Sequence, residues 1–366
     1  MVGKDVNTVS RWLTFAHLPA LSRRERFGLL ERFGNIDTIF DAGRGQLAKL
    51  LPDRHEALAA ITAGADEKAL TPALDWLARD NQHLVTWADT DYPQLLRQIP
   101  DPPLAFYLIG QRAALSQPQL AVVGSRNPTP AGRENARAFA RHLAGAGLGI
   151  TSGLALGVDG AAHRGALDAG GVTIAVTATG LDRVYPARHR ELAHEIAARG
   201  ALISEFPLGM PPLPENFPMR NRLISGLALG TLVVEAAVNS GSLITARLAT
   251  DQGREVFAIP GSIHSPLSRG CHALIRQGAK LVETANDILE ELGALARVAT
   301  EGSALPMDLS PALTGLLGQL GHDPTSVDQL VERSGLTPEA VSSMLLELEL
   351  QGLVEAGAGG KYQRIF

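Results

Sequence analysis

Five short segments recur in one register along this chain: Ala121-Val122-Val123-Gly124-Ser125-Arg126, Ser152-Gly153-Leu154-Ala155-Leu156-Gly157-Val158-Asp159, Gly180-Leu181-Asp182 running on to Tyr185-Pro186, Arg220-Asn221-Arg222, and Ser240-Gly241-Ser242-Leu243. In four of them an apolar, strand-like run gives way to a turn, and Arg220-Asn221-Arg222 opens an amphipathic stretch. Glycine-exposed backbone N–H groups and arginines would then converge on one crevice, an arrangement that binds anions and in particular phosphate. In Gly124-Ser125-Arg126 the glycine permits a sharp turn, Ser125 offers a hydroxyl, and Arg126 can reach a phosphate bidentately. Arg220 and Arg222, flanking Asn221 at the expected start of a helix, oppose the macrodipole unless an anion is present. Ser240-Gly241-Ser242 offers free amides and two hydroxyls ahead of another helix, as an anion cradle or as simple capping.

Other polar residues read as structural. Asp159 fits the N-cap of the helix that follows it, and His163 a packed or capping histidine, with no nucleophile or further ligand beside either. Glu205 and Glu235 are lone carboxylates at strand ends, expected to pack or to accept hydrogen bonds. No Gly-x-x-x-x-Gly-Lys-Ser/Thr occurs, and the glycines of Gly145-Ala146-Gly147-Leu148-Gly149 follow a helix rather than a strand, so neither a P-loop nor a dinucleotide fingerprint is present. No enzymatic chemistry, metal or cofactor is expected.

These turns need a sheet to hold them. Strand-like runs at Leu120–Val123, Leu148–Thr151, Thr173–Ala178, Ala201–Ser204, Thr231–Val234, Val256–Ile259 and Lys280–Val282 alternate with helical patterns at Glu134–Leu143, Gly160–Ala169, Arg190–Ala198, Asn221–Leu227 and Leu243–Gln252. Apolar runs spaced by helices imply a doubly wound, Rossmann-like parallel α/β sheet. Residues 1–81 read as a small all-helical domain (Arg11–Leu18, Arg23–Phe33, Thr38–Ala42, Gln46–Leu51), and the sheet domain spans 82–292. The Ala- and Gly-rich stretch 293–304 reads as a linker. In 305–366, three helices (Ser310–Leu320, Ser326–Arg333, Pro338–Gly352) and a hairpin around Gly357–Gly360 suggest a winged helix.

With 366 residues and 45% hydrophobic content the chain can form two or three cored domains. Its 33 Lys+Arg against 38 Asp+Glu leave a formal charge of -5, so nucleic-acid contact requires a local basic patch. The single cysteine, Cys271, excludes a disulfide framework and fits a reducing, cytoplasmic setting. Met1–Ser10 lacks a signal-peptide pattern, and no stretch approaches 18 uninterrupted apolar residues, so no membrane association is expected. Aromatic residues at 5% offer few stacking platforms, which shifts weight to backbone recognition.

The ordered motifs Gly124-Ser125-Arg126, Ser152-Gly153-Leu154-Ala155 with Gly157 and Asp159, Gly180-Leu181-Asp182 with Tyr185-Pro186, Phe217-Pro218 with Arg220-Asn221-Arg222, Ser240-Gly241-Ser242-Leu243-Ile244-Thr245-Ala246, and Val256-Phe257-Ala258-Ile259-Pro260-Gly261 resemble the DNA-processing protein A (DprA, also Smf) family over about residues 92–292. The flanks are similar to that family's sterile-alpha-motif-like and winged-helix domains. The resemblance implies a dimeric, non-enzymatic protein that binds single-stranded DNA in the Rossmann crevice and helps RecA load where single-strand-binding protein competes, in natural transformation. Carried over by position, the strand-contacting set is Gly124, Ser125, Arg126, Gly153, Arg188, Arg220, Asn221, Arg222, Gly241 and Ser242, with Arg126 and Arg220 foremost. It also places a self-association surface at Leu274, Ile275 and Leu281. His189 and His272 depart from the asparagines usual in the family. Leu18-Pro19-Ala20-Leu21 stands where a Gly-x-Gly hairpin would fall, so DNA contact by the first domain is not expected.

A rival reading is a nucleotide-binding Rossmann protein, either a phosphoribohydrolase-like enzyme or a nucleotide sensor. That enzyme class needs a glutamate four residues after the last glycine of its Gly-Gly-x-Gly-Thr-x-x-Glu motif; counted from Gly241, the position holds Thr245. In the winged helix, the third helix carries Glu339, Glu347 and Glu349 and no Lys or Arg, with Leu345, Leu346, Leu348 and Leu350 in excess of one buried face. Only Lys361 and Arg364, on the hairpin, are available for weak backbone contact, so a protein-interaction or regulatory role is expected there rather than groove reading.

Overall fold

The structure, a computed structural model, describes residues 5–18, 21–301, 311–320, 325–350, 354–357 and 361–364. The chain divides into two compact units, Met1–Glu301 and Gly302–Phe366.

Six helices open the first unit: α1 (Val6–Ala16), α2 (Arg23–Phe33), α3 (Ile36–Asp41), α4 (Arg44–Leu50), α5 (His55–Ala63) and α6 (Glu67–Leu77). Ser22 and Glu25 form a capping box on α2, and Asn35 and Asp66 cap α3 and α6 through their side chains. Trp12, Phe15, Ile39, Ile61 and Trp76 pack in one apolar core with Leu84, Tyr107 and Leu202 of the sheet. The change of pattern near residue 82 is therefore a change of secondary structure within a continuous core. Pro19-Ala20, in the expected turn, lies outside the described residues.

The sheet follows as β1 (Gln82–Thr86), α7 (Gln94–Arg97), β2 (Ala105–Gly110), β3 (Gln119–Val123), α8 (Pro130–Gly145), β4 (Gly149–Ser152), α9 (Val158–Asp168), β5 (Thr173–Val176), α10 (Arg190–Arg199), β6 (Ala201–Ser204), α11 (Asn216–Gly226), β7 (Gly230–Val233), α12 (Gly241–Asp251), β8 (Glu255–Ala258), α13 (Arg269–Arg276), β9 (Lys280–Leu281) and α14 (Ala285–Glu301). Strand order is β1-β2-β6-β5-β4-β3-β7-β8-β9. All pairs from β6 through β9 are parallel, while β1–β2 and β2–β6 are antiparallel. The expected all-parallel sheet is thus mixed at one edge. Strand β1 matches the strand-like run His83-Leu84-Val85-Thr86-Trp87, whereas β2 follows Pro100, Pro102 and Pro103 and so reads as loop.

The chain steps from β3 outward through β4, β5 and β6, then returns to the other side of β3 with β7, β8 and β9. The switch point lies at β3, between β4 and β7. Leu120 and Val122 of β3 face Ala136, Ala140 and Val158, whereas Ala121 and Val123 face Leu223, Ile224 and Ala246, so both faces are covered. Of the helix boundaries that differ from expectation, two bear on the crevice and the linker. Helix α11 begins at Asn216, not near Arg220, and α14 continues through Glu301 into the stretch read as a linker. Among the described residues no helix is long and apolar enough to cross a membrane.

His163 of α9 is fully buried and bonds Thr173 Oγ1 at 2.7 Å through Nδ1; that hydroxyl donates its own hydrogen to the Ile150 carbonyl at 2.6 Å. Nδ1 therefore carries the ring proton, and Nε2 has no partner. Burial, helped by the neighbouring charges of His189 and Arg220, pulls this imidazole from 6.5 to about 3. Between those values the unfolded chain binds more protons than the folded one, so stability falls as pH falls. The loss at pH 5 is expected to be about 2 kcal/mol. Chemical denaturation at pH 7 and pH 5 checks it, with His163→Asn expected to flatten the dependence.

In the second unit, α15 (Pro311–Gln319), β10 (Thr325–Ser326), α16 (Val327–Ser334), α17 (Pro338–Leu350), β11 (Val354–Gly357) and β12 (Lys361–Arg364) form a three-helix, three-stranded winged fold ordered β10-β12-β11. Ser326 and Gln329 form the expected cap of α16. Leu345 and Leu348 are buried in its core and Leu346 is exposed, so the leucine excess on α17 narrows to one residue; the Leu350 side chain lies outside the described residues.

Candidate nucleic-acid interface

At the carboxyl ends of β3, β4 and β7 lies a two-lobed crevice, at the switch point where open parallel sheets bind ligands. One lobe is walled by Gly124, Arg126, Asp159, Phe217, Arg220, Asn221, Gly241, Ser242 and Thr245, among others. The other is walled by Arg126, Asn127, Gly153, Ala155, Leu156, Ala178, Tyr185, Pro186 and Phe217. Arg126, Ala155 and Phe217 belong to both.

Close packing at the turns explains the glycines. A Cβ on Gly124 would come within 2.7 Å of Val158 Cγ2, and one on Gly157 within 2.4 Å of the Ser125 carbonyl oxygen. Gly157 also adopts φ +85°, and Leu154 a left-handed φ of 59°. The Leu154 carbonyl is held at 2.9 Å by His189 Nδ1, so the histidine that departs from the family pattern fastens the crevice loop. His272 likewise reaches the Gly261 carbonyl, at 3.0 Å. Glu235 accepts from Thr129 N (2.9 Å) and Thr129 Oγ1 (2.6 Å), anchoring the start of α8 directly after the Arg126 turn.

The two foremost arginines play different parts. Arg126 is exposed, its guanidinium 5.2 Å from the centroid of Phe217, and among the described residues it makes no ion pair. It is free to take a phosphate. Arg220 is 4% exposed; its Nη1 donates to the Gly153 carbonyl at 2.7 Å and to the Val176 carbonyl, and its Nε to Asn221 Oδ1 at 3.2 Å. A Cβ on Gly153 would meet this guanidinium at 2.6 Å. Burial pulls Arg220 down to about 10, opposed by Asp159, so it stays charged at neutral pH. Burial also raises the Asp159 carboxyl, which Arg220 and the backbone N–H of Ala155, 3.3 Å away, hold back. Asp159 is thus a buried countercharge two residues into α9; the N-cap is Gly157.

The remaining positions separate cleanly. Arg220, Asn221 and Arg222 lie inside α11, so the argument from the helix dipole does not apply to them. Arg222 is turned to Asp101 (3.0 Å) and Glu205, away from the crevice, as an internal ion pair. Ser125 Oγ accepts from Asn127 N at 3.1 Å and lines neither lobe. Arg188 is exposed in the turn beyond Pro186, outside both lobes. Gly241 and Ser242 line the first lobe, and Ser240 caps α12 by accepting from Ser242 N at 3.3 Å, so cradle and cap are the same residues. Residue reasoning passed over the ring wall: Phe217 and Tyr185, 5.9 Å apart edge to face, were visible only as the aromatic-proline pairs Phe217-Pro218 and Tyr185-Pro186. In the expected self-association segment, Leu274 and Ile275 are half-buried against their own core, whereas Leu281 on the edge strand β9 is 45% exposed.

An open, mostly parallel α/β sheet with a crevice at its switch point, followed in sequence by a winged-helix unit, defines a two-unit protein of Rossmann-like class. The chain belongs to the DNA recombination-mediator protein A family, whose model matches residues 83–293, and the DprA winged helix domain matches residues 301–360. It is 46% identical over 300 residues to protein Smf of Escherichia coli K12, covering 80% of each chain. Its fold matches that of DNA processing protein A from Streptococcus pneumoniae with a TM-score of 0.68 and 37% identity, over 79% of this chain and 98% of that one. DNA processing protein A from Helicobacter pylori, whose single-stranded DNA binding mode has been described, matches with a TM-score of 0.52 and 31% identity, over 57% and 95%.

Proposed function

We propose that this protein binds single-stranded DNA in the β3–β4–β7 crevice and, without catalysing a reaction on it, delivers the strand to a RecA-type recombinase during transformation and recombination. The observation that carries the reading is Arg126: an unpaired exposed guanidinium against the Phe217 ring, over a floor held by buried Arg220, suits a phosphate with a base beside it. The Helicobacter relative's single-stranded DNA binding supports it. Against the phosphoribohydrolase alternative stands Thr245, which lines the crevice at the position where that chemistry needs a glutamate. Titration of an oligothymidine against a mononucleotide tests the reading: tight, salt-sensitive binding of the oligonucleotide is expected, and preference for the mononucleotide would overturn it. The chain ended at Glu301 is expected to bind within about threefold, roughly 0.6 kcal/mol, because the exposed Glu339, Leu346 and Glu347 of α17 suit a protein partner better than phosphate. A tenfold loss would assign DNA contact to the second unit.

The cytoplasmic homodimer implied by the family likeness is part of the same reading. With Leu274 and Ile275 half-buried against their own core, the exposed Leu281 on β9 is the residue to test. Leu281→Arg is expected to shift light scattering at micromolar concentration from dimer to monomer. A variant that still dimerises removes this surface.

A further inference from the structure

Arg133, Arg137 and Arg141 recur every fourth residue along α8, so they lie on one face, about 6 Å apart along the axis at 1.5 Å rise per residue. All three are exposed. Arg137 is tied by Nε to Asp168 of α9 at 2.6 Å, while the side chains of Arg133 and Arg141 make no ion pair among the described residues. The carboxylates that act on Arg137 are Asp168, already engaged, and Glu134, one turn before it on α8. This row begins at the mouth of the crevice: Arg126 ends the β3 turn, and Thr129, fixed by Glu235, opens α8 from the same end of the sheet. A chain of net charge -5 that leaves two arginines unpaired in line with a cationic crevice concentrates its positive potential along that line.

We propose that the exposed face of α8 is a second, sequence-blind contact for the phosphate backbone, and that a strand leaving the crevice past Arg126 runs along α8 with phosphates on Arg133 and Arg141. The proposal rests on the single-stranded DNA reading above and extends it: the crevice holds a short stretch, and α8 lengthens the occupied site. It requires that affinity grow with strand length beyond what fills the crevice, and that the added affinity be electrostatic.

The test titrates full-length protein with oligothymidines of increasing length, comparing the parent, Arg133→Ser/Arg141→Ser and Arg126→Ala. The double variant is expected to bind long strands about tenfold more weakly, to lose about 1.4 from the log–log salt slope, as two lost single-strand phosphate contacts would give, and to bind the shortest strands like the parent. Arg126→Ala is expected to weaken short and long strands alike. A double variant with parental affinity for long strands overturns the proposal, and so does an equal loss on short and long strands. If the parent binds no oligothymidine of any length, the crevice reading itself falls.

Discussion

Arg220→Ala is expected to lower folding stability by about 3–5 kcal/mol, the range for removing one member of a buried charge arrangement. The side chain is almost wholly enclosed. Its loss strips a donor from the Gly153 and Val176 carbonyls and leaves the Asp159 carboxylate buried without its main countercharge. Binding of single-stranded DNA should fall with stability, because the Gly153 loop that walls the second lobe is held in place by this guanidinium. Arg220→Lys restores a charge but not the fork that reaches two carbonyls, so partial recovery at most is expected. Denaturant titration together with oligothymidine binding checks both parts. A variant of parental stability that merely binds DNA more weakly would show that Arg220 is a direct phosphate ligand and not the floor of the site.

Arg126→Ala should give the opposite pattern. The side chain is exposed and unpaired, so stability is expected to stay within about 0.5 kcal/mol of the parent. Affinity for single-stranded DNA should drop by about 1.5–3 kcal/mol, the scale of a charge-assisted hydrogen bond, which is roughly 10- to 150-fold. The salt slope should shrink by about 0.7, as expected for one phosphate contact on a single strand. Equal affinity in parent and variant, with circular dichroism unchanged, would remove the crevice as the DNA site. Read together, the pair distinguishes the residue that meets the ligand from the residue that shapes the place where it is met.

The residue pattern by itself determined the alternation of strands and helices from β3 to β8, the glycine turns at strand ends, and the place of the crevice. Apolar runs such as Leu120–Val123 and Ala201–Ser204 admit little but buried strands, and glycine after a strand marks a turn whatever lies beyond it. The cap of α16 was equally local, since Ser326 and Gln329 satisfy amides within one turn. Tertiary structure alone decided which arginine does what. Arg220 and Arg222 are two apart in sequence, yet they point about 200° apart around α11, so one enters the crevice floor and the other meets Glu205 and Asp101. Placing the start of α11 five residues earlier than the pattern implied turned an expected helix start into a helix interior, and with it a dipole argument into a packing one. Asp159 changed from cap to buried countercharge for the same reason: its role depends on Arg220, 61 positions away, and side chains so distant in the chain come together only when the sheet brings β4 and β5 beside α11.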